Sequence, residues 1–166
     1  MPGRDVNIES LYEYGSRAGV WRLLRLFKEF DIRCTVYANG QALEMHPAVA
    51  EEFVKAGHEI ASHGYRWVDR SKWCVQQASE EMRYDRLQLT SIATATRRTE
   101  KEEAEQARKA ISAIKKHGRQ PPRGWYYGMV ESAAAERSRS LIAQVFKEEQ
   151  LELKYWSDDY SDDLPH

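Results

Sequence analysis

His63 stands just past a short apolar stretch, in the run HEIASHGYRWVDR. A histidine just past a strand end is well placed for chemistry. One such chemistry is metal ligation, but zinc sites take three or four protein ligands. A second histidine four residues on could share such a metal, and that position is Trp67. His58 lies five residues earlier, and an odd offset along a strand sends two side chains to opposite faces. A single-histidine metal site is therefore not expected. The bland alternative is a structural histidine that only hydrogen-bonds, which is the commoner fate at strand ends.

Three more segments combine chemistry-bearing residues. PRGWYYG sets Arg123 beside Trp125, Tyr126 and Tyr127. Aromatic faces can bind a planar ligand, and arginine offers forked donors to carbonyl or carboxylate oxygens. The simpler alternative is a core aromatic cluster with a solvated arginine. SDDYSDDLP holds Asp158, Asp159, Asp162 and Asp163 directly after an apolar stretch. Paired carboxylates there suit acid-base work or orientation of a partner, although a run of charge is usually a solvated face. LYEYGSRAGVW holds Glu13, Ser16, Arg17 and Gly19. Ser16 is a candidate helix N-cap, and a helix start with Arg17 could hold an anion or oxyanion.

Regular elements must position these groups. In AGVWRLLRLFKEF, Val20, Leu23, Leu24, Phe27 and Phe30 recur at helical spacing and predict about three turns. IRCTVYANG favours a strand ended by Asn39-Gly40. HPAVAEEFVKAG predicts a helix with Pro47 in its first turn and Gly57 as its stop. HEIAS is a second strand. A long helix is expected from a capping box at Thr99 and Glu102 to Gly118. A short aromatic strand follows Pro121 and Pro122, then a helix over 132–149 and a strand in LELKYW. Helix and strand alternate with short connections, so the fold class is α/β, with parallel strands and outer helices. Ligands in such folds bind at the carboxyl ends of the strands, where His63, Asn39 and Gly40 fall.

The 166 residues suffice for one domain, and residues 1–166 are read as a single one. The net charge of -1 gives no electrostatic case for nucleic acid. No apolar run approaches the roughly 20 residues of a membrane span. The start, MPGRDVNIES, lacks the apolar centre of a signal peptide. Cys34 and Cys74 form no CxxC and read as reduced thiols, so a cytoplasmic location is expected.

ESLYEYGSRAGVWRLLRLF, AGHEIASHGYRW, PRGWYYG and DDYSDDLP occur in that order. As a set they resemble the metal-independent allantoinases of the polysaccharide-deacetylase (NodB-homology) superfamily, most densely over residues 8–69 and 120–165. The resemblance implies a distorted (β/α) barrel with its site at the carboxyl ends of the strands. Metal-dependent members hold their metal with an Asp and an HxxxH pair. His63 matches the first histidine of that pair and Trp67 replaces the second. The resemblance thus implies hydrolytic opening of the hydantoin ring of allantoin to allantoate, with no metal and no cofactor. His63 and Asp158 are the catalytic candidates it implies. Glu13, Arg17, Arg66, Trp67, Arg123, Trp125, Tyr126 and Asp162 are the candidates for binding allantoin or a related cyclic ureide.

The departures from the family pattern are specific. Family members begin earlier, with a strand carrying acidic residues, and continue past DDLP to a late histidine motif. Residues 84–100 differ from the usual connection, and EEQLELKYW replaces a glycine-rich turn. The expectation is a partial barrel, incomplete at both termini and lacking the likely base and the likely acid. An inactive remnant or binding module is one alternative to an allantoinase-like hydrolase. A metal-dependent carbohydrate N-deacetylase is another, and Trp67 speaks against it. Exposed sheet edges would favour a homo-oligomer; no membrane or nucleic-acid partner is expected.

Overall fold

The computed structural model describes residue 10 and residues 13–66, 100–127 and 133–158. Trp67, Asp162, Thr99, Cys74 and the segment 84–99 lie outside the described residues. A π-helical turn, Gly15–Gly19, runs into helix α1, Val20–Glu29. Then come β1 (Thr35–Ala38), α2 (Gly40–Met45), α3 (Pro47–Lys55), β2 (Glu59–Ser62), α4 (Glu100–Gly118), β3 (Gly124–Trp125), α5 (Ala133–Glu148) and β4 (Tyr155–Trp156). The four described strands form one parallel sheet in the order β1-β2-β3-β4. Helix-strand alternation with parallel pairing is the expected α/β architecture.

Three of the helix-to-strand connections share one device. After α1, Ile32 N–H donates to the Phe27 carbonyl at 2.7 Å and Asp31 N–H to Lys28 at 3.4 Å. After α3, His58 N–H reaches Phe53 and Gly57 N–H reaches Val54, both at 3.0 Å. After α5, Leu151 N–H reaches Phe146 at 2.8 Å and Gln150 N–H reaches Lys147 at 3.1 Å. Each is a Schellman cap, which satisfies the last carbonyls and needs a left-handed residue. That residue is Asp31, Gly57 or Gln150, with φ of 50°, 72° and 56°.

Successive strand residues alternate between two faces. Val36, Ala38, Ile60, Trp125 and Trp156 pack toward the helices. Trp125, Phe146, Ile142, Val145 and Ile114 are fully buried there, each worth about 1.5–3 kcal/mol of transfer free energy. The other face carries Thr35, Tyr37, Glu59, Ala61, Gly124 and Tyr155. At Gly124 a Cβ would fall within the Tyr155 ring, so a larger residue there would force that ring to move.

Two local expectations are corrected. Ser16 is not an N-cap: it sits inside helical structure and its Oγ donates to the Glu13 carbonyl at 3.1 Å. Between Gly40 and Pro47, a stretch to which the sequence assigned no element, the chain forms α2. Gly40 makes that possible, since it packs against Ala110, Ala113 and Tyr65 with room for no side chain. The last strand is shorter than LELKYW, because Leu151 and Leu153 pack on the core from a loop.

Candidate active site

The carboxyl ends of the strands bring together His63, Tyr126, Tyr37 and Ser157. His63 follows β2, and its N–H donates to the Ala38 carbonyl at 2.9 Å. Its Nδ1 lies 2.8 Å from the Tyr126 carbonyl. A carbonyl can only accept, so Nδ1 carries the proton and the neutral ring keeps its lone pair on Nε2. The imidazole also stacks on the Tyr126 ring, with centroids 5.1 Å apart and 21° between planes. One residue thus fixes both the tautomer and the tilt of His63.

The loop around His63 is held from several sides. Gly64, at φ 82°, turns the chain, and its N–H donates to Ser62 Oγ at 3.1 Å. Gly40 N–H donates to the Gly64 carbonyl at 2.9 Å and Gln41 N–H to Tyr65 at 3.0 Å. The first amides of α2, which have no partner within their own helix, therefore grip this loop. Tyr65 donates its hydroxyl to Glu44 at 2.8 Å. That bond, with burial and the nearby carboxylate adding to it, raises the Tyr65 pKa.

Tyr126 N–H donates to the Ser62 carbonyl at 2.9 Å, which continues the β2–β3 pairing. The Tyr126 ring meets the Tyr37 ring at 5.2 Å, tilted by 53°. The Tyr37 hydroxyl lies 2.6 Å from Ser157 Oγ. Tyr37 is on β1 and Ser157 follows β4, the two outer strands. A flat sheet would hold those strands roughly 14 Å apart, so the sheet curls and this face is concave. Sequence reasoning missed Tyr37 and Ser157. Strand alternation in TVYA places Tyr37 on this face, but only the curl brings Ser157 to it.

Asp158 clasps the ends of β3 and β4. Both carboxylate oxygens lie near Tyr127 N–H, at 3.0 and 3.1 Å, and the residue is 5% exposed. Arg66 is exposed in the loop after His63. Arg17 pairs with Glu13 one turn away at 3.4 Å, with side chains 77% and 59% exposed. No described contact carries Arg17 to His63.

Two site expectations are corrected. Trp125 cannot offer a face to a ligand: it is 0% exposed, edge-on to Tyr127 and Phe146 among the helices. The core alternative holds for it, and its neighbour Tyr126 takes the concave face. Arg123 precedes β3 and lines a cleft at the amino ends of the strands, the opposite end from His63. His58 and His63 do point apart, as their spacing requires. His58 packs against Phe27 and Phe53 and accepts from Cys34 N–H at 3.3 Å.

Among the described residues no three His, Cys, Asp or Glu side chains converge, and position 67 is tryptophan. No helix among the described residues is long and apolar enough to cross a membrane.

Residues 4–146 match the model of the polysaccharide deacetylase family. A putative polysaccharide deacetylase of Schizosaccharomyces pombe is 34% identical over 99% of this chain and 43% of its own length. The crystal structure of Puue allantoinase superposes over 100% of this chain and 44% of that one, with 37% identity and a TM-score of 0.68. A probable polysaccharide deacetylase from Pseudomonas aeruginosa covers 99% of this chain and 43% of its own, with 36% identity and a TM-score of 0.69. The chain therefore spans less than half the length of these relatives. With a parallel sheet, outer helices and a family match over most of its length, it belongs to the polysaccharide deacetylase family.

Proposed function

We propose that this chain carries the core of a metal-independent cyclic amidase that opens the hydantoin ring of allantoin to allantoate. The single observation that supports it most is the bond from His63 Nδ1 to the Tyr126 carbonyl. That bond leaves Nε2 as the basic atom of a neutral ring. The likeness to Puue allantoinase across the whole chain supports the substrate class. Replacement of the second histidine by Trp67 supports chemistry without a metal.

In this reading water attacks a ring carbonyl and gives its proton to His63 Nε2. The carbonyl carbon gains the C–O bond, the ring C–N bond breaks, and His63 Nε2 passes its proton on to the leaving nitrogen. Tyr37 and Tyr126 offer hydroxyl donors on the same concave face, and Arg66 offers a cation from the adjoining loop. Trp67 and Asp162 keep the substrate-binding roles that the family resemblance implies.

The test is allantoate formation from allantoin by the folded, purified chain, with and without a chelator. Turnover that survives the chelator and is lost in His63→Ala supports this reading. A folded chain with no turnover would favour the binding-module alternative. Activity that disappears with the chelator would favour a metal-dependent deacetylase.

A further inference from the structure

Arg119, Arg123 and Lys154 surround one cleft at the amino ends of the strands. Its volume is about 610 Å3, within the roughly 300–1,000 Å3 of small-molecule sites. Arg119 follows α4, Arg123 leads into β3 and Lys154 into β4. The backbone locks the last two together, with Lys154 N–H donating to the Arg123 carbonyl at 2.7 Å.

Three carboxylates lie near these cations. Glu59 is the one carboxylate among the described lining residues, and Thr35 Oγ1 donates to it at 3.0 Å. Arg119 meets Glu51 at 3.8 Å and Lys154 meets Glu152 at 3.4 Å, in exposed pairs that a competing anion can displace. Glu51 and Glu152 lie outside the lining and balance Arg119 and Lys154, so Arg123 is the cation that faces the cleft without a carboxylate partner among the described residues. Ile60, Pro121 and the Tyr155 ring add apolar surface between them.

We propose that this cleft binds a small organic phosphate. The forked guanidinium of Arg123 takes the phosphate oxygens, Arg119 and Lys154 flank them, and the organic body lies on Pro121 and Tyr155. The site is separate from His63 and independent of the reaction proposed there.

The test is titration of the full chain with phenyl phosphate and, separately, inorganic phosphate, by calorimetry at constant ionic strength. Saturable binding of phenyl phosphate is expected, tighter than that of inorganic phosphate. It should weaken at least tenfold in Arg123→Gln and in Lys154→Gln and be unchanged in His63→Ala. Arg123→Lys keeps the charge without the fork and should fall between, which guards against a variant that simply misfolds. Equal binding of the two phosphates would overturn the organic ligand. No saturable binding, or equal loss in His63→Ala, would overturn the site.

Discussion

Tyr37 and Ser157 meet at 2.6 Å although their strands lie at opposite edges of the sheet. The contact spans the concave face on which His63 and Tyr126 stack. It makes the curl of the sheet and the shape of the candidate site a single property.

Tyr37→Phe removes the hydroxyl and keeps the ring on Tyr126. A neutral hydrogen bond is worth about 0.5–1.5 kcal/mol net, and each kcal/mol moves Tm by about 2–4 °C in a chain of this size. A fall of a few degrees in thermal denaturation is expected, together with weaker substrate affinity if the face loosens. An unchanged Tm would show that the sheet holds its curl without this strut.

His63→Ala should lower turnover of a cyclic ureide by about 100- to 10,000-fold, the usual worth of a general base. Free imidazole should restore part of the rate if the lost function is proton transfer. Circular dichroism checks that the fold persists.

His58 answers to pH. Burial lowers its pKa below 6.5, and the Arg33 guanidinium lowers it further. The unfolded chain therefore binds this proton before the folded one does. Stability from this group is complete above pH 6.5 and is lost as pH falls below that value. Urea denaturation of wild type and His58→Phe at pH 7.5 and 5.5 reads this directly. Wild type should lose more stability than the variant over that interval; equal losses would assign the acid sensitivity elsewhere.

The left-handed caps offer a separate gain. Asp31 and Gln150 hold positive φ where glycine pays no steric cost. Gln150→Gly and Asp31→Gly should each stabilise by about 0.5–1 kcal/mol, after allowance for the added freedom of the unfolded chain. Gly57→Ala should do the reverse. Chemical denaturation midpoints measure all three.

Much of the framework was legible from local chemistry. Pro47 and Gly57 bracket α3 because one lacks an amide donor that a first turn does not need and the other accepts positive φ. The odd offset of His58 and His63 was enough to separate them. Trp125 and Tyr126 could have been separated by the same rule, since neighbours on a strand face opposite ways. Their shared motif concealed it. Arg123 was misplaced for a related reason: the length of β3 puts the start and end of one short motif at opposite ends of the sheet. Ser157 was illegible because its approach to Tyr37 depends on the curl, which no local pattern encodes. The six-residue α2 is too short to show a period, and it stands through Gly40 packing on α4.

Gly124 and Tyr155 carry an evolutionary consequence. A methyl group at 124 collides with the ring at 155, so the two positions cannot drift independently. A lineage that enlarges residue 124 must first shrink or swing residue 155, and the reverse order passes through a clash. Related chains should therefore show an aromatic at the second position only where the first is glycine, a paired inheritance written by one side chain lying where another would begin.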